Sequence, residues 1–243
     1  MKKVQDISYG NESEAQKLNV YFPEESARAV FVYFHGGGLE RGDKISAERF
    51  ADYLTERGII VVSANYRMYP GVKYPDFIRD AAMAVRWTKD NLESSEIYVG
   101  GSSAGGYISM MLCFNPEYLC EVGLSSSDVS GYFHDAGQPT AHFRVLKEMG
   151  VDSRKVIVDR TAPLYFVGNE ASYPPMRFIV SDNDMENRYE QTMLMVSTMR
   201  HFGYEGFDYT VMENSTHCSY CGKRDEKGES VFGKMICDFI CRK

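Results

Sequence analysis

No apolar run in the sequence approaches the length needed to cross a bilayer, so nothing in it reads as a membrane span. Positive charge is in deficit. Lys and Arg total 27 against 34 Asp and Glu, a net charge of -7, and no basic patch or stripe appears. That composition argues against nucleic acid or an anionic membrane surface as a partner. Met1-Lys2-Lys3 is basic, but polar Gln5-Asp6 stands where a secretion signal needs an apolar core, and a cytoplasmic location is expected. Internal repeats, low-complexity runs and interdomain linkers are also missing. With 243 residues, 44% hydrophobic, the chain fits one α/β domain spanning 1–243.

Cysteine is sparse, at positions 113, 120, 218, 221, 237 and 241. Without a secretion signal, disulfides are not expected. Cys218-x-x-Cys221 beside His217, with Cys237-x-x-x-Cys241, has a spacing that zinc sites also use. The plainer reading is preferred. Cys237 and Cys241 stand one helical turn apart in an apolar stretch, Cys113 has a similar setting, and buried free cysteine packs as a small hydrophobe. No metal and no organic cofactor is expected.

What is present is an alternation of strands and helices. Lys3 to Tyr9 and Lys17 to Phe22 read as an edge hairpin. Residues 29–34 (AVFVYF) and 59–64 (IIVVSA) are apolar runs suited to central strands covered on both faces. Ser46 to Arg57 and Asp76 to Asn91 have helical periodicity. Glu121 to Leu124 reads as a short strand, and 176–180 and 207–212 as later ones. Glu186 to Phe202 and Val231 to Ile240 read as helices, the former Met-rich and suited to core packing. The stretch from about 125 to 173 shows no clean alternation beyond a helix near 141–150, and is expected to be a cap inserted into the domain. The fold class is α/β, with a mostly parallel sheet and helices on both faces.

Chemistry concentrates at residues 97–106, Ile-Tyr-Val-Gly-Gly-Ser-Ser-Ala-Gly-Gly. An apolar strand ends in glycines and a helix-compatible run follows at once. Gly101-Ser102-Ser103-Ala104-Gly105 has the Gly-x-Ser-x-Gly form, in which a sharp strand-to-helix turn holds the central serine in a strained conformation with its hydroxyl exposed. Alone the pattern is also that of a plain Gly/Ser turn; the strand–turn–helix context and the partners elsewhere favour Ser103 as a nucleophile. His35-Gly36-Gly37-Gly38 follows another buried strand. Three glycines there are costly in chain entropy unless backbone amides must approach a ligand. We expect Gly37 and Gly38, with Ala104, to form an oxyanion hole.

A serine hydroxyl needs a base to take its proton, and that base needs an acid to orient it. His217 lies in a short polar loop after the last strand and alone among five histidines has the right position. His35 belongs to the glycine turn, His134 and His142 to the presumed cap, and His201 to a helix. Asp184 is the expected acid, with Asp182 as the alternate, and either one serves equally well as the N-cap of the helix that follows.

On these residues, together with Tyr66-Arg67, Tyr74-Pro75 and Asp80, the chain resembles the α/β-hydrolase esterases from about Val30 onward, in particular the His-Gly-Gly-Gly group of bacterial and hormone-sensitive-lipase-like carboxylesterases. The resemblance implies that Tyr66, Arg67 and Asp80 pack behind the site. Ser102 and Leu39 depart from it, standing where relatives often have an acidic residue and a bulky aromatic. The chain also begins almost directly with sheet rather than with cap helices. The expectation is a compact esterase with a reduced lid, acting on a small-molecule ester of short, acetyl-like acyl chain. An arylformamidase-like amidase shares every catalytic residue, and a non-catalytic binding member of the fold is the remaining alternative.

Overall fold

A computed structural model of the chain describes residues 1–94 and 96–242. Eight strands form one sheet: β1 (Lys2–Ser8), β2 (Lys17–Phe22), β3 (Ala29–Phe34), β4 (Ile59–Ala64), β5 (Ile97–Ser102), β6 (Gly131–Asp135), β7 (Met176–Asn183) and β8 (Phe207–Thr216). Their spatial order is β1-β2-β4-β3-β5-β6-β7-β8. β1 and β2 form an antiparallel edge, and β3 to β8 run parallel. The helices are α1 (Ala51–Thr55), α2 (Asp76–Asn91), α3 (Ala104–Phe114), α4 (Glu117–Glu121), α5 (Phe143–Glu148), α6 (Arg188–His201) and α7 (Val231–Ile240).

The pleat of β3 explains the layering. Val30, Val32 and Phe34 point into a core shared with α2, α3 and α6, through residues such as Phe77, Ile108 and Met195. Phe31 and Tyr33 point to the opposite face, into a core closed by α1 and α7 through Leu54, Phe232 and Ile236. A strand buried on both faces has no polar side to show, which is why AVFVYF lacks alternation. The Met-rich helix is core packing as expected, with Met195 and Met199 buried.

Three expectations change. Residues 121–124 are not a strand: they close α4. The Gly123 amide donates to Cys120 O and the Leu124 amide to Leu119 O, with Gly123 left-handed at φ +72°. This is the paired C-cap that only a residue tolerant of positive φ adopts cheaply. The missing strand, β6, lies inside the stretch expected to be a cap at 125–173. It pairs with β5 and β7 and places Asp135 in the middle of the sheet. The excursion out of the sheet is therefore shorter, running from 136 to 175 and carrying α5. Finally, Ser46 to Arg57 divides into a 3-10 turn (Lys44–Arg49) and α1, with Phe50 at the break.

Candidate active site

Every parallel strand presents its carboxyl end to one edge of the sheet, and the predicted residues meet there. Ser103 follows β5 directly and is the first non-helical residue before α3. Its backbone is strained, at φ 56° and ψ −111°. The crossing that imposes this is too close for side chains: a Cβ on Gly105 would lie 1.9 Å from Phe34 O. The Ser103 amide is tied to Asp135 O at 2.8 Å, so β6 fixes the turn from the other side.

Asp184 and His217 are the residues immediately after β7 and β8. The Ser103 hydroxyl lies 2.8 Å from His217 Nε2, and His217 Nδ1 lies 2.5 Å from Asp184 Oδ1. Asp184 also accepts from the amides of Met185 (2.7 Å) and Ser181 (3.2 Å), and its side chain is fully buried. Asp182 faces elsewhere. Its carboxylate accepts from the amides of Asn214 (2.7 Å) and Ser215 (3.0 Å) and steadies the turn leading to His217. Neither aspartate caps α6, whose N-cap position is Asn187.

The matching sequence-family model is described as the alpha/beta hydrolase fold and aligns with residues 31–119. Among solved structures, the butyrate-bound esterase Est2 of Thermogutta terrifontis superposes with a TM-score of 0.78 at 19% identity, over 98% of this chain and 95% of that one. The chain has the α/β-hydrolase fold. Curated relatives are similar over part of the chain. Esterase LipI of Mycobacterium tuberculosis is 34% identical over 96 residues, 37% of this chain and 30% of LipI. Carboxylesterase NlhH of the same species is 36% identical over 103 residues, 39% of this chain and 32% of NlhH. The matched segment thus spans about a third of the length of those relatives.

In this hydrolase fold the glycine turn lies against the serine. A Cβ on Gly36 would approach Ser103 Cβ to 3.2 Å. Gly37 is left-handed at φ +123°, and its carbonyl accepts from the amides of Glu40 and Arg41 in a tight turn. That arrangement leaves no room for a side chain: a Cβ there would sit 1.9 Å from Arg41 O. Among the described residues, the amides of Gly37, Gly38 and Ala104 have no hydrogen-bond partner in the protein. A cavity of about 870 Å³ opens over Ser103 and His217, with Gly36 to Gly38 on one wall and Phe143 and Met185 facing it. Phe143 closes in on Gly38, its ring 3.3 Å from where a Cβ would be.

The electrostatics suit a proton relay. Burial opposes the charged form of His217, yet the hydrogen bond to Asp184, assisted by Cys218, raises it to about 9. Burial likewise pushes the Asp184 carboxyl up, but His217 and the two amides outweigh it and hold it below the usual carboxylate range.

The supporting residues implied by the resemblance lie behind the glycine turn. Tyr66 stacks on His35 (4.5 Å between rings) and donates to His35 O at 2.8 Å. Buried Asp80 accepts from the Arg67 guanidinium, the Arg67 amide and Gln16. What the sequence did not point to is a buried polar cluster beneath Ser103. Asp135 accepts from the Tyr220 hydroxyl and from the thiols of Cys218 (3.8 Å) and Cys221 (3.4 Å), and Tyr33 donates to Ser102 Oγ at 3.1 Å. Asp135 is 83 residues from Cys218, so no spacing could have announced it. Among the described residues, no helix is long and apolar enough to cross a membrane.

Proposed function

We propose that the protein is a serine carboxylesterase acting on short-chain, acetyl-like esters. The observation that carries the reading is the continuous hydrogen-bonded chain Ser103–His217–Asp184, of which Ser103 and His217 line the cavity. Ser103 attacks the ester carbonyl while His217 takes its proton. The developing oxyanion is held by the amides of Gly37, Gly38 and Ala104, each worth on the order of 3 kcal/mol to the transition state. His217 then protonates the leaving alcohol, and water repeats the sequence on the acyl-enzyme. Asp184 orients the imidazole and stabilises it as imidazolium. The curated relatives named as esterases support the same reaction class.

The short acyl preference rests on Phe143, which walls the cavity beside Gly38, and on the shortness of the 136–175 excursion that acts as the cap. kcat/KM for p-nitrophenyl acetate or butyrate is expected to exceed that for the decanoate by at least about tenfold, a loss equivalent to one or two methylenes that find no pocket. Decanoate turning over faster than butyrate would contradict the size limit while leaving the reaction class standing. An N-formyl arylamide turning over faster than every ester would place the activity with amides instead.

A further inference from the structure

The cluster under the nucleophile has a feature the esterase reading does not use. Asp135 is fully buried, yet among the described residues no Lys, Arg or His side chain hydrogen-bonds or ion-pairs with it. A buried carboxyl with no cation beside it either gives up its charge or takes up a cation as partner. Here the neighbours are two thiols, which are themselves metal ligands. We propose that Asp135, Cys218 and Cys221 form a binding site for one thiophilic divalent cation of the zinc class.

The geometry fits. The three ligand atoms lie within 4.8 Å of one another. Around a tetrahedral zinc with its usual bond lengths, the sulfur-to-oxygen edge is about 3.6 Å. The observed separations from Asp135 Oδ2 are 3.4 Å to Cys221 Sγ and 3.8 Å to Cys218 Sγ. The thiols need little movement to close on an ion. Cys221 follows Cys218 in a turn closed by its amide on Cys218 O at 3.1 Å, which holds both sulfurs on one side. Tyr220, between them, donates to Asp135 Oδ1 and orients the carboxylate, as outer-shell partners of metal ligands do. An entry path exists, because Cys218 and Cys221 line the catalytic cavity, and solvent there supplies the fourth position. Binding releases the two thiol protons and involves no change of oxidation state. The other close thiol pair, Cys237 and Cys241 with sulfurs 3.4 Å apart, gathers no third ligand among the described residues. The Cys218-x-x-Cys221 spacing is one that zinc sites use, but on its own it did not outweigh the plainer reading of packed cysteines; the third ligand comes from β6. The inference does not depend on the esterase reading.

The test is a Cd²⁺ titration of the reduced, chelator-treated full chain, following the thiolate-to-cadmium charge-transfer band in the ultraviolet. The expected result is saturation at one equivalent, displacement by Zn²⁺, retention of the band in Cys237→Ser/Cys241→Ser, and at least about tenfold weaker binding in Cys218→Ser/Cys221→Ser and in Asp135→Asn. Circular dichroism and a cooperative melt establish that each variant is folded. Should Cys218→Ser/Cys221→Ser not fold, the Cys237→Ser/Cys241→Ser chain decides alone: the band kept supports the site, the band lost overturns it. The absence of a band in the unmodified chain, or an undiminished band in folded Cys218→Ser/Cys221→Ser, also overturns it.

Discussion

Replacing Ser103 with alanine is expected to lower kcat for p-nitrophenyl acetate by about 10⁶-fold, the loss seen when the nucleophile of a complete triad is removed. The fold should survive the change. Alanine keeps the same Cβ, so the strained φ of 56° costs no more than it does with serine. Of the hydroxyl, the contact that disappears is the one to His217 Nε2 at 2.8 Å. The melting temperature should therefore stay within a few degrees of the unmodified protein while turnover falls to what oxyanion amides and substrate binding alone supply, roughly 10³–10⁴ over water. Steady-state kinetics and a thermal melt on the same preparation check both halves. Retained turnover in a folded Ser103→Ala would remove the serine from the chemistry.

Asp184→Asn is expected to reduce kcat by about 10⁴-fold, whereas Asp182→Asn is not. The difference follows from what each carboxylate touches. Asp184 holds Nδ1 of His217 and so fixes which nitrogen faces Ser103. An amide there can present its NH₂ to Nδ1 and stabilise the wrong tautomer. Asp182 accepts from two backbone amides of the turn before His217, and asparagine retains one acceptor for them. A pH profile separates orientation from mere loss of fold. His217 acts as base only when neutral, and it is raised to about 9, with Asp184 and Cys218 overcoming the cost of burial. kcat/KM should thus climb with pH on the alkaline side of the ordinary histidine value of about 6.5. Removing the negative charge at Asp184 weakens the imidazolium, so the midpoint should move to lower pH even as the plateau falls. An unmoved midpoint would show that Asp184 does not act on His217.

The parts of this account that could be read from sequence are those imposed by short-range sterics. Residues 97–106 announce a strand, a turn that needs glycine, and a helix, and the three-dimensional crossing at Gly105 is the reason. The uninterrupted apolar runs of β3 and β4 follow from burial on both faces. His217 was identifiable because it follows the last strand. Asp184 was the expected acid but Asp182 stayed open as the alternate, since the two lie only two residues apart at the end of β7 and the register of the chain end decides which one faces the histidine. β6 was missed because Gly-Tyr-Phe-His-Asp carries two polar residues, and these are buried only by their surroundings. His134 bonds Ser109 of α3, and Asp135 meets the 218–221 turn. The apolar look of 121–124 came from a helix cap, where hydrophobic contacts gather as they do in strands.

The most direct measurement of the central claim, that Ser103 is a nucleophile activated by His217, is covalent labelling with a fluorophosphonate followed by peptide mass spectrometry. It needs no knowledge of the natural substrate. The account predicts a single adduct on the peptide containing residues 97–106, located at Ser103 and not at Ser102, with the rate of labelling falling by at least about a thousandfold in His217→Ala. An adduct on another residue, or labelling of Ser103 that proceeds at the same rate without His217, would contradict it.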